Sequence, residues 1–91
     1  MNSGVNPDTL DPRRKRARYR SWHRGTREMD LILGPFADAE VAGLTPDELG
    51  QYEAVLDQPD PDLYKWITGE REAPPELAAG LFQRIRASAR S

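Results

Sequence analysis

Apolar side chains recur with helical spacing along the chain, in segments separated by glycine and proline. The clearest stripe places Met29, Ile32, Leu33 and Phe36 at positions i, i+3, i+4 and i+7, as on one face of an α-helix. No segment shows the sustained alternation of apolar and polar residues that marks a half-buried strand. The pattern therefore predicts an all-α protein, a compact bundle of five short helices in a single domain.

The first two predicted helices meet at a glycine. Asp11 followed by Pro12 is a start signal, because aspartate caps the first free N–H groups of a helix and proline suits its first position. We expect this helix to run to about His23, with Gly25 as the residue that terminates it. The second helix is expected to begin at about Thr26.

Gly34-Pro35 is expected to kink or interrupt the second helix. Proline lacks the N–H that a helix interior needs, and its ring collides with the preceding turn. Val41 and Leu44 continue the apolar face beyond this point. The second helix is therefore predicted to be kinked or interrupted near its middle.

Three further helices follow. Thr45 and Glu48 have the spacing of a capping box, in which each side chain bonds the backbone N–H of the other residue. Asp60 and Pro61 are best explained as the start of a short fourth helix, with Gly69 at its end. A fifth helix is expected after the double proline. The residues expected to face the core on these helices are Leu49, Tyr52, Val55, Leu56, Leu63, Trp66, Ile67, Leu77, Ala78, Leu81, Phe82 and Ile85.

The length of 91 residues supports one thin core and one domain. We expect residues 1–10 to be a disordered leader and residues 11–88 to form the helical domain. The absence of cysteine excludes disulfides and thiolate chemistry. No apolar run approaches the roughly 20 residues that span a bilayer. We expect a monomeric, cytoplasmic bacterial protein that is not bound to a membrane.

Charge is unevenly distributed along the chain. Residues 13–27 contain eight basic residues and no acid, whereas acids dominate from residue 28 to residue 76. One alternative function follows from the basic first helix, because Tyr19 and Trp22 lie between the cations and aromatic rings can stack on bases. The formal net charge of −2 disfavours this nucleic-acid alternative, since nucleic-acid-binding domains are commonly basic.

The residues needed for nucleophilic catalysis are missing, while the many acids leave an acid/base carboxylate pair open, although acids on helix exteriors are usually solvated. Nucleophilic catalysis requires a base beside the nucleophile and a group that orients the base, and His23 is the only histidine. One histidine without cysteine cannot form the ligand cluster of a structural zinc site, so we expect no metal site. No glycine-rich phosphate loop is present. We expect a binding protein and not an enzyme.

Two segments resemble a known family. Residues 24–30, RGTREMD, resemble the RGxxE signature of the FAD assembly factor family, also known as succinate dehydrogenase flavinylation factors. The likeness continues through Pro35-Phe36 and the predicted helix at 45–56. It resumes at residues 60–66, DPDLYKW, which look like that family's D-P-D-L-[FY]-x-W segment. In all it covers residues 17–86.

The resemblance implies a function for the predicted helical domain. Members of the family are small five-helix proteins that bind the flavoprotein subunit of succinate dehydrogenase, and often that of fumarate reductase. They promote covalent attachment of FAD to a histidine of that subunit. The implied protein is an assembly chaperone that binds no cofactor tightly and acts on FAD held by its partner. Which flavoprotein is served stays open.

The resemblance also implies a docking surface at the junction of the first two helices, formed by Arg24, Gly25 and Glu28. The residues expected to face the partner are Trp22, His23, Arg24, Gly25, Arg27, Glu28 and Asp30. The motif residues expected to serve the structure are Pro35, Phe36, Asp60, Pro61, Leu63 and Trp66.

Spacing alone leaves simpler interpretations of this junction open. In the simplest one, Gly25 is a helix cap and Arg24–Glu28 is a surface ion pair worth about 0–1 kcal/mol. Trp22 and His23 either pack against the partner or cover the core. Asp30 either joins the docking surface or favours the start of the second helix.

Overall fold

The computed structural model describes residues 10–77 and 80–90, and within these ranges all regular secondary structure is helical. The five helices are α1 (Pro12–Trp22), α2 (Arg27–Glu40), α3 (Pro46–Leu56), α4 (Asp60–Thr68) and α5 (Gly80–Ala89), with a 3-10 turn at Val41–Gly43. The predicted all-α bundle of five helices is confirmed. Residues 1–9 of the expected leader and Ala78 of the expected core lie outside the described residues.

Local caps fix the starts of the first three helices. Side-chain oxygens of Asp11, Thr26 and Thr45 each accept a hydrogen bond from the backbone N–H three residues ahead. In α3, Glu48 returns a bond to the N–H of Thr45, which completes the predicted capping box. These helices begin where the sequence predicted because each start signal is contained within four residues.

The start of α4 differs from the prediction by one position. Asp60 is the first helical residue, and Pro59 takes the cap position without a side-chain hydrogen bond. The carboxylate of Asp60 instead accepts a hydrogen bond from the side chain of Arg24. The other end is as expected, since Gly69 ends α4 with a left-handed φ of +83°.

Helix α2 runs through Pro35, so the predicted interruption is wrong. The residue before a proline is pushed out of the α region partly by its own Cβ, and Gly34 has none. Pro35 is exposed, and Leu31, whose carbonyl loses its usual donor, has an exposed side chain. A carbonyl on the solvent side of a helix can be hydrated instead.

The core is one cluster formed by residues from all five helices. Its buried members are Ala17, Met29, Leu33, Phe36, Ala37, Val41, Leu44, Leu49, Tyr52, Val55, Leu56, Leu63, Ile67, Leu81, Phe82 and Ile85. Leu10, Ile32, Trp66 and Leu77 pack against this cluster while partly exposed. The predicted core is confirmed in its main members, although Ile32 and Trp66 lie at its edge.

A buried pair of hydroxyl groups joins three helices. The Ser21 hydroxyl of α1 donates to the Ala17 carbonyl at 2.7 Å and lies 2.5 Å from the Tyr52 hydroxyl of α3. The Tyr52 hydroxyl oxygen also lies 3.4 Å from the Leu33 carbonyl oxygen of α2. Burial raises the pKa of Tyr52 to about 12.

This buried tyrosine predicts a loss of stability in alkali. Tyrosine ionises near pH 10 in an unfolded chain and near pH 12 here, so its contribution is complete below pH 10 and is lost between about pH 10 and about pH 12. Over that window the free energy of unfolding of the wild type should fall by about 2–3 kcal/mol more than that of Tyr52→Phe. Urea denaturation at several pH values measures the difference, and parallel pH profiles would contradict it.

Candidate protein-docking site

The junction between α1 and α2 is a tight turn built around Gly25. His23 is the C-cap of helix α1. Gly25 has a φ of +105°, a backbone conformation that residues with a side chain rarely adopt. Gly25 is exposed, and a Cβ placed on it would meet no atom within 4 Å. The glycine is therefore required by the backbone conformation, and the space in front of it is open.

Arg24 faces inward from this turn. Its side chain is only 9% exposed, and its guanidinium group donates to the Asp60 carboxylate at 2.7–2.8 Å. It also donates to the backbone carbonyls of Leu56 and, at 2.7 Å, Gln58. Arg24 thus connects the α1–α2 turn to the segment that joins α3 and α4.

This position corrects the expectation that Arg24 and Glu28 project together as an exposed pair. Helix α3 ends at Leu56, and the last carbonyls of a helix have no partner within the helix and carry its negative dipole end. They therefore attract a buried guanidinium group. Only Glu28 of the expected pair is exposed.

Asp30 holds the turn from the other side. Its carboxylate accepts a hydrogen bond from the backbone N–H of Arg24 at 2.7 Å. Asp30 is half-buried, whereas Arg27 is exposed. Within the chain, Asp30 therefore fixes the conformation of the turn.

Trp22 and His23 have different surroundings. The indole of Trp22 lies against Gly34 of α2, where a Cβ would overlap the ring, and its Nε1 donates to Asp38 at 3.2 Å. Trp22 therefore covers the contact between α1 and α2. His23 is exposed, and its ring stacks on Tyr19 with 3.9 Å between ring centroids.

A groove lies beside the turn, where the first residues of α2 and α4 come together. We call it the corner groove; its volume is about 300 Å³, and it is lined by Thr26, Glu28, Met29, Asp60, Pro61 and Tyr64. It unites the segment at residues 24–30 with the segment at residues 60–66. The two motif-like segments, far apart in sequence, thus form one surface.

The remaining motif residues occupy different positions relative to this surface. Phe36 and Leu63 are buried in the core, and Trp66 packs at the edge of the core. Pro35 and Pro61 are exposed. Pro61 lines the corner groove, a position that helix-start chemistry did not predict.

Sequence reasoning did not find two further contributors to this site. Asp60 was explained as a helix-start residue, but its carboxylate pairs with Arg24, 36 positions earlier. Tyr64, 40% exposed, forms a wall of the groove. The only signal for either residue was that both family-like segments occur in one short chain.

Most of the basic residues at positions 13–27 form ion pairs with acids of the same chain. Beyond Arg24, the cations of α1 that pair with acids are Arg13 with Glu53, Arg14 with Asp11, Arg18 with Asp38 and Arg20 with Asp57. Hydrogen bonds from Arg13 lower the pKa of Glu53 below its ordinary value. These pairs leave fewer cations for a phosphate backbone, which weakens the nucleic-acid alternative.

Neither a metal centre nor a membrane span is found in the described ranges. Residues 10–77 and 80–90 contain no group of three or more histidine, aspartate or glutamate side chains placed to hold a metal ion. None of the helices in this part of the chain is long and apolar enough to cross a membrane.

Comparison with known proteins identifies the family. Residues 15–89 match the family described as flavinator of succinate dehydrogenase. The chain belongs to this flavinator family. The family-like segments at the corner groove both lie inside the matched range.

Individual relatives agree with this family. The chain is 40% identical over 83 residues to the FAD assembly factor SdhE of Acetobacter pasteurianus, an alignment that covers 91% of this chain and 76% of the relative. It is 36% identical over 77 residues to the mitochondrial succinate dehydrogenase assembly factor 2 of Dictyostelium discoideum, covering 85% and 55%. The corresponding protein of Debaryomyces hansenii is 38% identical over 68 residues, covering 75% and 48%. The chain thus spans about half the length of these mitochondrial relatives. No solved structure matches the chain significantly.

The inward position of Arg24 predicts a large stability effect. Arg24→Gln should lower the free energy of unfolding by about 3 kcal/mol, because it leaves the largely buried carboxylate of Asp60 without its cation. Arg18→Gln is the matched control, since it breaks an exposed pair with Asp38 and should cost less than about 1 kcal/mol. Urea denaturation of both variants measures the two costs. Equal costs would show that Arg24 does not hold the turn.

Proposed function

We propose that this protein is an assembly factor that binds the flavoprotein subunit of succinate dehydrogenase and promotes covalent attachment of FAD to it. Membership of the flavinator family supports the process and the partner. The observation that carries the proposal is the joining of residues 24–30 and 60–66 into one exposed surface through the Arg24–Asp60 pair. The flavoprotein of fumarate reductase is a second candidate partner.

The corner of the molecule supplies the contact surface in this proposal. Gly25 has open space in front of it, so the turn is slim enough to enter a crevice of the partner. Glu28 offers an exposed carboxylate beside the apolar walls of the corner groove. Arg24 acts as a positioning residue, since its guanidinium group is occupied inside the molecule.

The protein contributes binding energy and no catalytic group in this account. Attachment of FAD to a histidine requires the flavin and the imidazole to be aligned. Restricting two groups to a reactive geometry accelerates their reaction. A helper that binds best to the aligned conformer of the flavoprotein raises the population of that conformer. We place the FAD on the partner throughout, and we propose that the helper acts as a cytoplasmic monomer.

Glu28 provides the first test. In cells that express the flavoprotein but lack this protein, fluorescence of covalently bound flavin on a denaturing gel should be low, and wild-type protein should restore it. Glu28→Arg should restore at most about one fifth of the signal, because an unpaired rim charge of the wrong sign opposes docking. Glu70→Arg, the same charge change at an exposed site outside the groove, should restore it fully.

The outcomes of the Glu28 experiment are distinct. Fluorescence that does not depend on the protein would refute the proposed function. Full restoration by Glu28→Arg would remove Glu28 from the docking surface. The stability of both variants should stay within about 0.5 kcal/mol of wild type, since both side chains are exposed.

Gly25 provides the second test, with a control for backbone strain. Gly25→Ala and Gly25→Arg both place a Cβ on a residue with φ of +105°, so both should lose a similar stability of about 1–2 kcal/mol. Only the arginine fills the open space in front of the turn. Covalent flavin incorporation should therefore persist with alanine and be lost with arginine. Equal activity of the two variants would contradict docking through a slim turn.

A further inference from the structure

A second feature, outside the corner groove, is an unused cationic and aromatic face on α1. Lys15, Tyr19, Trp22 and His23 follow one another at helical spacing on the side opposite to the buried residues Ala17 and Ser21, and Arg16 adjoins them. Together with the Arg18–Asp38 ion pair they line a shallow groove between α1 and α2, which we call the α1 groove.

Of the three cations that line this groove, Arg18 pairs with Asp38, whereas Lys15 and Arg16 form no ion pair within the described residues. Lys15 and Arg16 are exposed. The nearest acid of the groove, Asp38, already accepts hydrogen bonds from Arg18 and Trp22. After the hydrogen bond from Arg13, the charge of Arg16 also helps to lower the pKa of Glu53, but both carboxylate oxygens of Glu53 accept hydrogen bonds from Arg13. The groove therefore keeps a positive charge, whereas the cations facing α2 and α3 are paired.

The aromatic part of the groove is held in place before any ligand arrives. Tyr19 is 63% exposed, the largest exposure among the big apolar side chains of the described residues. Its ring stacks on His23, and Nδ1 of His23 lies 2.7 Å from the Tyr19 carbonyl oxygen. A surface tyrosine fixed in this way can bind with little loss of conformational freedom.

We propose that the α1 groove binds an acidic segment of the flavoprotein partner, next to the contact made by the corner groove. The proposal rests on the proposed function for the identity of the partner. Lys15 and Arg16 would pair with carboxylates of that segment, and Tyr19 would pack against its apolar side chains. A short acidic segment suits the groove better than a nucleic acid, because a long polyanion would be repelled by the acidic remainder of a chain whose net charge is −2.

Charge reversal tests the proposal against a control with the same net charge. The double variant Lys15→Glu/Arg16→Glu should bind the purified flavoprotein subunit about tenfold more weakly at low salt, and the difference should shrink to about twofold at high salt. Arg71→Glu/Arg90→Glu reverses two exposed cations that lie outside the α1 groove and outside residues 24–30 and 60–66, and it should bind like wild type. Tyr19→Ala should weaken binding about fivefold at both salt concentrations, because packing is not screened by salt. Circular dichroism verifies that each variant is folded.

The outcomes separate this proposal from the proposed function. If wild-type protein does not bind the flavoprotein, the proposed function fails. If wild type binds, Gly25→Arg does not, and Lys15→Glu/Arg16→Glu binds like wild type at low salt, only the α1 groove proposal is overturned. It is also overturned if the two double variants weaken binding equally, or if the charge reversal abolishes binding to arbitrary DNA and leaves flavoprotein binding unchanged.

Discussion

The guanidinium group of Arg24 holds together the parts of the molecule that form its exposed corner. It lies against the end of α3, where it donates to the carbonyls of Leu56 and Gln58 and to the carboxylate at the start of α4. These acceptors need a donor, because helix ends leave carbonyl groups unsatisfied. A single side chain from the α1–α2 turn therefore donates to the free carbonyl groups of the α3–α4 junction and brings two distant segments of the chain together. The exposed corner owes its shape to this buried contact.

This arrangement divides the roles within the RGxxE-like segment. Arg24 and Asp30 act inside the molecule, where they fix the turn from its two sides. Gly25 permits the backbone conformation, and Glu28 remains exposed beside the corner groove. A sequence motif of this kind is thus not a set of equivalent contact residues. Part of it builds the surface, and part of it is the surface.

The same principle governs the basic run of α1. Most of its arginines pair with acids of α2 and α3 or near the helix ends, so the strong positive character of residues 13–27 is largely compensated in three dimensions. Among the described residues, the cations of this run without an ion pair are Lys15 and Arg16 on the outer side of α1 and Arg27 at the start of α2. Charge counted along a sequence overestimates the charge that a partner meets, because pairing with distant residues is invisible in the count.

The sequence predicted those features that depend on a few neighbouring residues. The caps at Asp11, Thr26 and Thr45, and the left-handed end at Gly69, each follow from local backbone chemistry. The inward position of the Arg24 side chain could not be predicted in this way, because its partner Asp60 is 36 residues away in sequence. The continuity of α2 through Pro35 was also missed. It rests on the missing Cβ of Gly34, which removes part of the steric clash that a proline has with the residue before it.

In the proposed function, the guanidinium group of Arg24 keeps its contacts inside the molecule, while the exposed corner around Gly25 and Glu28 contacts the partner. A structure of this protein bound to the flavoprotein subunit of succinate dehydrogenase tests the claim most directly. The account predicts that Glu28 and Tyr64 become buried against the partner while the guanidinium group of Arg24 stays bonded to Asp60. A complex in which Arg24 has left Asp60 and bonds the flavoprotein itself would contradict it.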